Sequence, residues 1–207
     1  MKQLTFIFSL ILSISIVSCI KNEPETYTSR VAEIDQTTYN ANSAGLTYPI
    51  LTRVPAAGRV QSSACPDSVM RRFSGTMRVR INLVGPQSEK EETVGFQTFN
   101  SPITTISFPA TIAANAANGC PTAQSPARTA ASLAVTTAVA GTHYNFGNAT
   151  SGKITIPANS SFGYLDVNLL NAGASTGARF IGIKLDSTGT ILPNVNYSSI
   201  GLVIDQR

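Results

Sequence analysis

Residues 77–83 read Met-Arg-Val-Arg-Ile-Asn-Leu, an apolar side chain followed by a polar one at every step. A strand sends successive side chains to opposite faces, so this pattern fits a half-buried strand and no helix. Met77, Val79, Ile81 and Leu83 share the inward face, and Gly85-Pro86 ends the run. The same period recurs in Val94 and Phe96, in Ile106 and Phe108 before Pro109, and in Leu133, Val135 and Val139. It continues in Ile154 and Ile156, which follow a Ser-Gly turn and stop at Pro157. Leu165, Val167 and Leu169 alternate with Tyr164, Asp166 and Asn168; Ile181, Ile183 and Leu185 come next, and Ile200, Leu202 and Ile204 close the chain. Short strands at near-regular spacing, each with one polar face and bounded by Gly or Pro, predict an all-β fold, an antiparallel β-sandwich over residues 46–207.

The first residues have a different texture. Met1-Lys2-Gln3 carries one positive charge, and Leu4–Val17 is uncharged and rich in Leu, Ile and Phe. That length suits the apolar core of a signal peptide and falls short of the ~20 residues a spanning helix needs. Ile16-Val17-Ser18-Cys19 resembles the bacterial lipobox. The resemblance implies cleavage after residue 18, acylation of Cys19, and a membrane anchor made of several acyl chains, which holds where a single chain would not. Residue 20 is Ile, not the aspartate of inner-membrane retention, which leaves the outer membrane as the expected location. The charged cluster Lys21-Asn22-Glu23-Pro24-Glu25 resembles the export signals of Bacteroidetes surface lipoproteins. It implies the cell surface; a soluble linker with the domain on the periplasmic face is the alternative. Residues 19–45 have few large aliphatics and read as a flexible tether, with a short pairing segment around Val31–Ile34.

Of 207 residues, 43% are hydrophobic and 13% charged, which excludes a disordered chain and leaves enough mass for a sizeable core. The net charge of +4 is mild and mostly dispersed, so nucleic acid is not an expected partner. The one basic cluster is Arg71, Arg72, Arg78 and Arg80. On an outward strand face, Arg78 and Arg80 read either as a solvated face or as an anion- or polysaccharide-binding stripe.

The segment AVAGTHYNFGNATSGKITIPANSSFGYLDVNLLNAGASTGARFIGIKLDSTG resembles the C-terminal half of a Calx-beta-like, immunoglobulin-type sandwich. A domain of unknown function in Bacteroidetes surface lipoproteins shares that pattern, and MRVRINLVGPQSEKEE resembles its earlier strand and acidic turn. Two departures stand out. His143 replaces the aspartate of the G-x-D-Y motif, and Asn171–Gly177, where Calx-beta domains hold calcium, has no carboxylate. Calcium takes about six or more oxygen ligands, usually including carboxylates, so no metal and no cofactor is expected. Tyr144 is expected to pack at a strand corner.

Catalysis has little to work with. His143 is the only histidine, and residues 173–177, Gly-Ala-Ser-Thr-Gly, are not a nucleophile elbow. The carboxylates open to a glycosidase pair are Asp67, Glu89, Glu91, Glu92, Asp166, Asp186 and Asp205, and three of these crowd one turn. Asp67-Ser68-Val69 and Asp186-Ser187-Thr188 resemble Bacteroidetes O-glycosylation sites, with Ser68 and Ser187 as acceptors. With Cys19 acylated, Cys65 and Cys120 are the remaining pair, and export puts them where disulfides persist. A bridge between them would contribute about 4 kcal/mol by loop entropy; two free thiols, or pairing with another chain, are the alternatives. The expected function is that of a non-catalytic lipoprotein binding a glycan or a neighbouring envelope protein. A structural adhesin, using the last strand up to Ile204 as an exchangeable edge, is the rival reading.

Overall fold

The computed structural model describes residues 29–35, 45–54, 68–111, 127–149 and 151–207. Cys19, Cys65, Cys120 and Asp67 lie outside these residues. Among the described residues every regular element is a strand: β1 (Val31–Ile34), β2 (Ile50–Leu51), β3 (Thr76–Val84), β4 (Glu92–Phe99), β5 (Thr105–Phe108) and β6 (Ala131–Thr137). The second half supplies β7 (Tyr144–Phe146), β8 (Lys153–Ile156), β9 (Phe162–Leu169), β10 (Ala178–Asp186), β11 (Leu192–Pro193) and β12 (Ser199–Asp205).

They form two sheets, the sandwich expected from the alternation. Sheet A runs β11-β1-β3-β9-β7, and sheet B runs β2-β12-β10-β4-β8. β6 joins sheet B beside the first residues of β10 and carries β5 on its far side. β4 and β6 thus share one flank of β10, β6 along Ala178–Phe180 and β4 along Gly182–Asp186. The pairings are antiparallel except β1–β11, β6–β10 and β2–β12, which are parallel. Gly182 is required where β4 ends: a Cβ there would stand 2.6 Å from Phe99 backbone and ring atoms.

The main core fills the space between the sheets. Met77, Val79 and Ile81 from β3 and Leu165 and Val167 from β9 meet Ile181, Ile183, Ile200, Leu202 and Ile204 from sheet B. Each of these side chains is removed from water, which is worth roughly 1.5–3 kcal/mol apiece before entropy is charged. A second cluster lies on the opposite side of sheet B: Ile50, Val69, Ile106, Phe108, Leu133, Val135, Ala178, Phe180 and Val203. The β5–β6 pair supplies four of its members, so β10 and β12 are covered on both faces.

Two details differ from the sequence expectation. Val31–Ile34, a pairing segment inside the stretch read as tether, is an interior strand of sheet A, with Ala32 and Ile34 buried in the main core. Val139 is 56% exposed and lies beyond β6, because the chain turns at Gly141 (φ 78°).

Candidate functional site

Sheet A has one face in the core and one in water. Four outward rows cross β3 and β9 in register: Asn82 opposite Phe162, Arg80 opposite Tyr164, Arg78 opposite Asp166, and Thr76 opposite Asn168. Directly opposed side chains lie close enough to interact. Arg78 Nε donates to Asp166 Oδ1 at 3.0 Å, and its guanidinium lies 5.4 Å from the Tyr164 ring centroid. Arg80 stacks at 4.2 Å over Phe162, donates to Asn82 Oδ1 at 2.8 Å, and sits 3.9 Å from Asp35. Phe162 and Tyr164 touch edge to face with centroids 5.5 Å apart. Thr76 Oγ1 donates to Asn168 Oδ1, and Asn168 Nδ2 donates to Asn145 Oδ1. Each of the two arginines is therefore set by an aromatic ring and an acidic partner.

Beside this ladder is an open cavity of about 400 Å³, within the usual range for small-ligand sites. Arg78, Asn148, Phe162, Tyr164 and Asp166 form its working walls. Gly163 makes its floor, where a Cβ would run into the Thr155 carbonyl of β8. The backbone edge of β9 is closed by side chains. Asn148 Nδ2 donates to the Tyr164 carbonyl, and Asn148 Oδ1 accepts from Asp166 N–H, both at 2.8 Å. Ser160 Oγ likewise donates to the Phe162 carbonyl and accepts its N–H. The amide and hydroxyl take the places a neighbouring strand would occupy, which blunts this edge against strand addition.

The other predicted residues fall elsewhere. His143 is buried at a turn: Nδ1 accepts from Val139 N–H at 3.0 Å, and Nε2 lies 3.0 Å from Arg179 Nε, a donor. Burial first and the Arg179 charge second hold its pKa below 6.5. With Nδ1 accepting from the backbone, the neutral ring carries its hydrogen on Nε2, which stands in close contact with the Arg179 guanidinium. Tyr144 is buried beside it and stacks edge to face on Phe146 at 5.3 Å. Asn171 Oδ1 accepts from Arg72 Nη1, so a guanidinium holds the start of the 171–177 loop.

The carboxylates are dispersed among separate duties. Asp166 pairs Arg78; Asp186 Oδ1 accepts from Thr188 N–H and Oγ1; Glu92 accepts from Thr190 Oγ1 and Arg30 Nη1. Asp205 is buried against Arg207, with Nη2 to Oδ2 at 2.9 Å and Nε to Oδ1 at 3.0 Å. Glu89 and Glu91 are exposed at the β3–β4 turn, and Ser68 and Ser187 are exposed. Among the described residues no group of three or more His, Cys, Asp or Glu could hold a metal, and no helix is long and apolar enough to cross a membrane.

No family model matches the chain, and no curated protein sequence matches it. A solved structure described as "Crystal structure of Apo-form Calx CBD1 domain" is similar at 13% identity and a TM-score of 0.38, over 67% of this chain and 88% of that one. The assignment as a two-sheet β-sandwich rests on the strand pairing itself.

Proposed function

We propose that this is a non-catalytic, lipid-anchored outer-membrane protein whose sandwich binds glycan on the outward face of β3 and β9. The observation that carries the reading is the juxtaposition, beside one open cavity, of two aromatic rings with guanidinium, carboxylate and amide groups. A sugar ring offers one apolar C–H face and a rim of hydroxyls, and these are the groups that receive such a shape. In this reading residues 1–18 are the leader, Cys19 carries the acyl chains, and Cys65 and Cys120 form a disulfide. The domain stands at the cell surface, or otherwise on the periplasmic side of the outer membrane.

A neighbouring envelope protein is the alternative partner. The strand-exchange adhesin is less favoured. β12 pairs with β10 along seven residues and lies interior to sheet B, and side chains seal the β9 edge. The test is a glycan array probed with the full chain in detergent. Binding to discrete glycans that is lost in Tyr164→Ala supports the reading; no glycan bound, with a partner protein captured through the same face, rejects it. Fatty-acid labelling addresses the anchor separately: label should enter the native chain and not Cys19→Ser, and label in the variant would refute the lipidation.

A further inference from the structure

The outward face of β3 and β9 carries three formal charges, Arg78, Arg80 and Asp166, and Asp35, just past β1, completes two opposite-sign pairs. Arg78 meets Asp166 at 3.0 Å, and Arg80 meets Asp35 at 3.9 Å. The cavity wall itself contains one positive and one negative group, Arg78 and Asp166, with Asn148, Thr155 and Ser160 as neutral polar neighbours. Such a site offers donors and acceptors with no net field to attract an ion. An anionic ligand would gain little from Arg78, because Asp166 already neutralises it, and would stand against the Asp166 carboxylate.

From this matching we infer that the ligand is a neutral saccharide, not a uronate or sulfated glycan; the inference rests on the glycan-binding reading above. Tyr164 and Phe162 give the apolar face of one sugar ring a place to pack. The exposed Arg78 Nη groups donate to one hydroxyl of a vicinal pair, and the Asp166 carboxylate accepts from its neighbour. The Arg78–Asp166 pair thereby acts as a two-pronged reader of a diol. Its members are preset: the Tyr164 ring lies against the guanidinium, and Asn148 fixes the backbone on both sides of Leu165.

The test uses the full chain in detergent with neutral hexose oligosaccharides and their uronate-bearing counterparts, each titrated at two ionic strengths about tenfold apart. The inference predicts binding of the neutral set with a Kd that shifts less than about twofold with salt, since screening acts only on charged partners. Asp166→Asn keeps the shape and removes one charge. It should weaken neutral binding at least tenfold and bring in salt-sensitive uronate binding, because Arg78 is then unmatched. Tyr164→Phe should bind as the native chain does, and Tyr164→Ala should lose at least tenfold. Thermal melts that begin well above the assay temperature for all three variants keep a folding defect from imitating these losses. Preferred, salt-sensitive uronate binding by the native chain overturns this inference and leaves the glycan reading standing. No binding from either set overturns both.

Discussion

Two arginine–aspartate pairs, one single-pronged across strands and one forked within a segment, show how differently the two sheets treat their outward faces. Arg78–Asp166 on sheet A has Nε 3.0 Å from the carboxylate, with side chains 64% and 19% exposed. Arg207–Asp205 at the end of sheet B spans 2.9 Å, with side chains 18% and 1% exposed. In the first pair the guanidinium stands in water, where Coulomb attraction is screened and side-chain entropy opposes it, so the pair adds little to stability. The second has given up hydration, and the loss of either partner strands a buried charge. The buried Arg71 adds to this setting, its pKa lowered by burial first and partly restored by Asp205. Sheet A thus leaves the Arg78 guanidinium exposed, and sheet B uses its other face to hold the second core.

The largest expected effect that could break this contrast is in the second core. Phe180 is fully buried there. Phe180→Ala should cost about 3–5 kcal/mol in urea unfolding, from lost transfer energy and a residual cavity. Tyr164→Ala, the outward aromatic of sheet A, should cost about 1 kcal/mol or less by the same measurement. A next step down is Gly182→Ala, which should cost roughly 1–3 kcal/mol because the added methyl meets Phe99 backbone as well as ring.

The position of β1 sharpens the comparison from the other side. Ile34 is 1% exposed and pairs opposite Ile81. Ile34→Ala should cost about 2–4 kcal/mol, which would show that sheet A is as firm as sheet B on its inward face. A cost near zero would mean that residues 29–35 are not an integral strand.

The smallest effect is in the pH dependence. His143 has a folded pKa below 6.5, so the native state binds fewer protons than the unfolded chain between the two values. Stability from this group is fully present above pH 6.5 and is lost as pH falls through the folded pKa. His143→Gln should flatten that limb of the stability profile; an unchanged slope would mean that the ring titrates freely.

Much of this was legible in the residues. The alternation in Met77–Leu83 and Leu165–Leu169 names both the inward rows and the outward Arg78, Arg80, Tyr164 and Asp166. Their meeting across strands was not legible, because register between residues 88 positions apart is a tertiary property. Asn148 and Ser160 sit in turns, where no period announces a role. Double burial of β12 had a signal: Leu202-Val203-Ile204 has no polar residue between apolar ones, which is how a strand covered on both faces reads. Val139 has core spacing from Val135, but Gly141 starts a turn before that spacing can act.

The most direct measurement pairs Asp205→Ala with Asp166→Ala in equilibrium urea unfolding at neutral pH. Asp205→Ala should lose about 3–5 kcal/mol, with Arg207 left against a buried site. Asp166→Ala should lose less than about 1 kcal/mol. Equal losses, or a larger loss for Asp166→Ala, would contradict the division of the molecule into one outward face that stabilises and one that is free to bind.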